Sequence, residues 1–134
     1  MDCLFCKIVN KTINAKIIYE DENTLAFLDI HPRVSGHTVV IPKKHAANIL
    51  NLDSSLIGPL FLTVKQVSAI LNKALNPDGF TIGINQGRSS GQEIDHFHVH
   101  IMPRFSNDGG SSIQNVVNNM PKETLEQILE KIKK

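Results

Sequence analysis

Residues 96–102 read His96-Phe97-His98-Val99-His100-Ile101-Met102 and hold three of the chain's six histidines, each followed by an apolar residue. In a β-strand successive side chains point to opposite faces. His96, His98 and His100 then share one face, and Phe97, Val99 and Ile101 enter a core on the other. Alternate side chains on a strand stand roughly 7 Å apart, so two or three imidazoles can meet one small polar ligand. A face that merely needs wetting is served equally well by Thr, Lys or Glu. Strict alternation of three histidines therefore points to chemistry.

Outward from this row, the sequence reads as strands over 16–19, 24–29, 37–41, 80–85 and 96–102, rich in β-branched and aromatic residues and bounded by turns such as Pro32-Arg33-Val34-Ser35-Gly36. Between the third and fourth strands, residues 54–75 place Ile57, Leu60, Val64, Val67, Leu71 and Ala74 at helical spacing. Asp53 or Ser54 suits its N-cap, and Pro59 lies too far inside for a helix begun at Asp53, which predicts a separate opening turn. A second helix is predicted over 121–133, with Leu125, Ile128, Leu129 and Ile132 as its buried stripe. The pattern predicts an α+β fold: an antiparallel sheet of about five strands, one long crossover helix and a C-terminal helix.

The 134 residues suit one domain spanning 1–134. A formal net charge of +1 with dispersed charges carries no footprint for long nucleic acid. The first residues lack a basic leader, and the apolar runs fall short of a membrane span, so a cytoplasmic protein with no membrane partner is expected. Both cysteines sit at the start, in Cys3-Leu4-Phe5-Cys6, and supply half of a tetrahedral zinc site; the rest would have to be histidine. Before the histidine row lies the glycine-bracketed loop 85–93, Asn-Gln-Gly-Arg-Ser-Ser-Gly-Gln-Glu, able to turn amide groups and the Asn85 and Gln92 side chains toward an anion.

These residues together resemble the histidine triad (HIT) superfamily of nucleotidyl hydrolases and transferases. The resemblance extends from the triad to the segments 3–8, 26–30, 36–45 and 91–92, and the opening Cys-x-Phe-Cys-Lys-Ile and the Ile-Pro-Lys-Lys-His segment are similar to the Hint-like branch, in its bacterial type with an N-terminal C-x-x-C. It implies a homodimer with a purine nucleotide as substrate, cleaved through a nucleotidyl-histidine intermediate on His98 to release a nucleoside monophosphate. By position it implies that His98 is the nucleophile, that His100, Asn85 and Gln92 hold the phosphoryl oxygens, and that His37 and His96 orient the nucleophile. Asp29 matches the ribose-binding carboxylate, and Phe5, Ile8, Phe27, Ile30 and Val39 match the walls of the base pocket. Cys3, Cys6, His45 and His96 match a structural zinc site, with no organic cofactor. Glu93 departs from the pattern, standing in the nucleotide site where relatives commonly carry Ser or Thr to serve the leaving group. Two other readings compete: a metal-dependent hydrolase using the triad histidines as ligands, and a nucleotide-binding or interaction module with little turnover.

Overall fold

Five antiparallel strands form one sheet in the computed structural model, which describes residues 2–134. They are β1 (Ile17–Glu20), β2 (Thr24–Leu28), β3 (Thr38–Pro42), β4 (Gly79–Gly83) and β5 (Val99–Arg104), in the spatial order β1-β2-β3-β5-β4. β5 thus inserts between β3 and β4, pairing Val39 with His100 on one side and Gly83 with His100 on the other.

The sheet is covered on both faces, which is why β2 and β3 are buried nearly throughout instead of alternating. On one face Ala26, Val40, Phe97, Val99 and Ile101 pack with Leu60, Val64, Val67 and Leu71 of α2 (Ile57–Leu75). On the other, Leu25, Phe27, Val39 and Ile41 meet Cys3, Phe5 and Ile8 of an N-terminal segment whose helix α1 spans Leu4–Val9. The helix α1 has no counterpart in the sequence reading. It is six residues long, too short to show apolar periodicity, and is held by packing more than by its own hydrogen bonds.

As the proline predicts, α2 is preceded by a separate 3₁₀ turn, Ser54–Leu56, capped by Asp53, whose side chain accepts from the Ser55 N–H. Pro59 then falls in the first turn of α2, where its missing N–H has no intrahelical role. Asn76 ends the helix in the left-handed conformation at φ 48°. Contrary to the sequence reading, Ser54–Leu75 is long and apolar enough for a membrane span by length and composition. Its buried side chains lie on the sheet, the packing of a core helix.

Two further expectations are corrected. Regular strand begins only at Val99, because the Phe97 N–H is drawn to the Ala46 carbonyl (2.6 Å) outside the ladder. On the histidine face His96 is fully buried, His98 nearly so and His100 half-buried. The C-terminal helix, α3, spans only Leu125–Lys133, with Thr124 and Gln127 forming a capping box at its start. Its supposed core stripe faces outward, with Leu125 83% and Ile132 73% exposed.

Candidate functional site

The ends of β2 and β3 bring the first polar groups together. Past β2, the Asp29 N–H extends the ladder to the His37 carbonyl at 2.9 Å, so the chain leaves the sheet at Asp29 and re-enters at His37. The intervening turn closes on Gly36 at φ +87°, where a Cβ would meet the Leu75 side chain at the end of α2. Only glycine satisfies both the backbone and the close approach. His37 then lies diagonally across from His100, whose strand partner is Val39.

The hydrogen-bond directions fix every tautomer in this row, because a carbonyl only accepts and a backbone N–H only donates. The Arg33 N–H donates to His37 Nδ1 at 3.1 Å, so the His37 proton sits on Nε2. His37 Nε2 donates to His100 Nδ1 at 2.9 Å, which leaves the His100 proton on its own Nε2. His98 Nδ1 donates to the His96 carbonyl at 2.7 Å, which leaves a bare lone pair on His98 Nε2. The rings of His98 and His100 are 5.0 Å apart. A nucleophilic nitrogen and an N–H donor therefore stand side by side, the pairing that attack on a phosphoryl group requires.

Burial favours the neutral form of both His100 and His37. Burial lowers the His100 pKa to about 4, helped by the neighbouring His98 and His37 and opposed by Asp29. Burial also lowers His37, with Asp29 opposing and the Arg33 cation reinforcing it. Asp29 Oδ2 lies 3.5 Å from His37 Nε2, while its Oδ1 accepts from the His31 N–H at 2.8 Å. Asp29, His37 and His100 cluster closely enough to suggest a cation site. Yet the two ring nitrogens that face each other already share one proton, so the set is a hydrogen-bonded histidine pair with a carboxylate beside it.

The loop before the triad is built differently from the sequence expectation. Gln92 is buried and its amide is fully engaged: Nε2 donates to the Ala47 and Ile94 carbonyls, and Oε1 accepts from the Gly87 N–H. It shapes the loop from within. Asn85 is exposed, and its side chain lies beside Gly91. Glu93 is also exposed and lines a cleft of about 410 Å³ with Asp2, Cys3, Leu4, His45, Ile94 and Asp95. Among the described residues it makes no hydrogen bond to a triad histidine. A second cleft, of about 360 Å³, is lined by Leu28, Asp29, Arg33, Ser35, Gly36 and His37, among others. Of the five apolar residues assigned to the base pocket, Phe5, Ile8, Phe27 and Val39 form one buried cluster, and Ile30 stands 77% exposed.

The third group is Cys3, Cys6, His45 and His96, whose ligand atoms all lie within 4.8 Å of one another. His96 Nε2 donates to the Pro42 carbonyl at 2.8 Å, so His96 Nδ1 carries the lone pair that faces the cluster. Cys3 Sγ and Cys6 Sγ lie 3.5 and 3.6 Å from that nitrogen, and His45 Nδ1 lies 3.4 Å from Cys6 Sγ and 3.2 Å from His96 Nδ1. A tetrahedron with zinc–sulfur bonds of about 2.3 Å and zinc–nitrogen bonds of about 2.0 Å has edges of roughly 3.3–3.8 Å. The four donors fit zinc. Burial lowers His96 to about 4, which keeps its lone pair free, and raises the Cys6 thiol, aided by Cys3.

What the sequence reading missed is mostly backbone: the Arg33 N–H and the His96 and Pro42 carbonyls that choose the tautomers. No side-chain pattern announces them. Gly36, whose conformation sets the turn carrying Arg33, was the nearest available signal.

Comparison with known proteins follows the same lines. Residues 10–107 match the HIT domain family model. An uncharacterized HIT-like protein of Methanocaldococcus jannaschii is 44% identical over 98% of both chains. The adenosine 5'-monophosphoramidase of Schizosaccharomyces pombe is 38% identical over 84% of this chain and 82% of its own. The crystal structure of a member of the HIT family from Bacillus subtilis superposes with a TM-score of 0.87 at 33% identity, covering 99% of this chain and 96% of that one.

Proposed function

The chain belongs to the HIT domain family, as a Hint-like member, and we propose that it is a nucleotide hydrolase that forms a nucleotidyl-histidine intermediate on His98. One observation carries the reading: the 2.7 Å bond from His98 Nδ1 to the His96 carbonyl, which leaves Nε2 as a neutral nucleophile. In the proposed reaction that nitrogen attacks the α-phosphorus of a purine nucleotide, the bond to the leaving group breaks, and water then cleaves the new P–N bond to release a nucleoside monophosphate. The His100 Nε2–H, with Asn85 at the loop, donates to the phosphoryl oxygens as their charge develops. Asp29 accepts from the ribose hydroxyls, and the exposed Ile30 with Phe27 and Val39 at the edge of the apolar cluster receives the base, while Phe5 packs against His96 and His98 instead. Phosphoramidates, acyl nucleotides and dinucleoside polyphosphates are the substrate classes to test, in keeping with the phosphoramidase relative.

Zinc in the cluster of Cys3, Cys6, His45 and His96 would brace the N-terminal segment against the triad and leaves no open coordination position. The active form in this reading is a homodimer of 1–134 single-domain chains. Support comes from the apolar side chains left uncovered in one copy: Phe61, Leu62 and Ile70 on α2, Ile82 on the edge strand β4, and Val116, Met120 and Leu125 in the C-terminal segment.

The deciding experiment mixes the protein with adenosine 5'-phosphoramidate, quenches in acid-free denaturant and searches by mass spectrometry for adenylyl on His98. Trapped adenylate on that residue supports the mechanism. Turnover with label elsewhere, or binding without turnover for every substrate class, sinks it; the latter outcome favours a binding module.

A further inference from the structure

The metal-ligand cluster and the proposed nucleophile share a residue. His96 turns its Nδ1 lone pair into the cluster, while its carbonyl accepts the proton of His98 Nδ1. Phe5 makes a second link. It lies between Cys3 and Cys6 on one helical turn, and its ring stands edge-on to both His98 (5.2 Å, 86°) and His96 (5.9 Å, 70°). Phe27 backs it at 5.4 Å.

We propose that the Cys3, Cys6, His45 and His96 cluster positions His98 for chemistry through the His96 carbonyl and the Phe5 ring, so that cluster integrity governs turnover and leaves nucleotide affinity nearly untouched. The proposal rests on His98 being the nucleophile. A single hydrogen bond at Nδ1 lets an imidazole swing about that bond, and the Phe5 ring closes one side of the swing. A six-residue helix does not hold a side chain in place by its own stability. Packing on Phe27 holds Phe5 in the core, and the cysteines on either side of it, tied to His45 and His96, set where its ring stands against His98. When that tie is lost, the His98 ring is free to swing off the His96 carbonyl and take the other tautomer, with the proton on Nε2 and no lone pair there to meet phosphorus. Asp29, His37 and His100 lie at the other end of the histidine row and owe nothing to the cluster, so ribose and phosphate contacts persist. Phe5 is by this account a positioning residue.

The test compares wild type, wild type stripped by chelator, Cys6→Ser and Phe5→Leu. For each, zinc content, kcat and KM for adenosine 5'-phosphoramidate, AMP affinity by calorimetry, and the His98 tautomer by long-range ¹H–¹⁵N NMR are measured. Phe5→Leu is expected to keep its zinc and bind AMP within about threefold of wild type, with kcat lower by on the order of 10- to 100-fold, the usual cost of a misplaced reacting group. Its His98 resonances should report mixed tautomers. The stripped protein and Cys6→Ser should show the same kcat loss without zinc. If Phe5→Leu raises KM and AMP Kd with kcat intact, or if stripped protein keeps both kcat and a single Nδ1–H tautomer, the proposal is overturned. Should Cys6→Ser fail to fold, Phe5→Leu alone decides. Should wild type lack turnover, the nucleotidyl transfer reading has failed, and the tautomer comparison still decides the positioning claim.

Discussion

His37 Nε2 and His100 Nδ1 are joined by a 2.9 Å hydrogen bond whose direction is imposed from the far side, by the Arg33 N–H on His37 Nδ1. The proton on His100 is thereby kept at Nε2, the atom assigned to the phosphoryl oxygens. His37→Ala removes this constraint without touching His98. Turnover should fall on the order of tenfold, with most of the loss in kcat, because the donor is present but no longer held to one tautomer. Steady-state kinetics check it, and an unchanged kcat would argue that His100 needs no such orientation.

His98→Asn keeps a hydrogen-bonding side chain and removes the nucleophilic lone pair. Turnover is expected to vanish while AMP binding stays within about tenfold, since the groups assigned to ribose and phosphate remain. More than a few per cent residual turnover would refute the assignment.

The cluster distances predict about one zinc per chain in protein purified without chelator. Cys3→Ser removes a ligand while its hydroxyl can still cap α1 at the Cys6 N–H, so metal content should drop and, through loss of the metal, stability should fall by ~3 kcal/mol, about 10 °C in melting temperature. Metal analysis alongside thermal melts measures both, and unchanged values in the variant would eliminate the site.

Acid sensitivity follows from the buried imidazoles. In the folded chain His96 and His100 have pKa values of about 4, whereas an unfolded histidine sits near 6.5. Between those values the unfolded state binds more protons, so stability climbs as pH rises through the window and is flat above it. In metal-free protein each group contributes on the order of 3 kcal/mol, fully present above about pH 6.5 and lost toward pH 4. Urea midpoints across that range should show the slope, and His100→Gln should remove about half of it.

Gly36→Ala places a methyl group against Leu75 at a backbone angle of +87° that L side chains rarely adopt. A destabilisation of about 2–3 kcal/mol is expected, from backbone strain plus overpacking. Because the same turn carries the Arg33 N–H to His37, kcat should fall together with stability. Chemical denaturation and kinetics on one preparation test both effects.

The five strands and α2 were legible in the sequence because each carries a run of apolar residues long enough to declare its period, bounded by Gly, Pro or Asn. Leu125, Ile128, Leu129 and Ile132 declared a period just as clearly, and a periodic stripe says only that something should cover it. In this chain the stripe faces away from the sheet. The helix α1 escaped notice because six residues hold fewer than two turns. At the site, the chemistry-bearing side chains could be named from their spacing and from the family resemblance, and His37, His98, His100 and Asp29 do converge. The role of Gln92 could not be read, since a buried amide and an anion-facing amide look alike in sequence. Glu93 likewise reads as a neighbour of the triad, yet its side chain lines the cleft beside Cys3 and His45.

The strand that carries His100 is the last strand to be synthesised and lies between β3 and the edge strand β4. A ribosome therefore delivers β3 and β4 with facing edges unpaired, and they stay unpaired until residues 99–104 have left the exit tunnel. Exposed strand edges of this kind invite pairing with other chains, and long-range insertion is slow. The nascent protein is thus most vulnerable just before β5 emerges, and the same six residues that seal the gap also bring His100 beside His37. A chain that stops before Val99 carries no assembled triad, so termination there yields an aggregation-prone but chemically silent fragment.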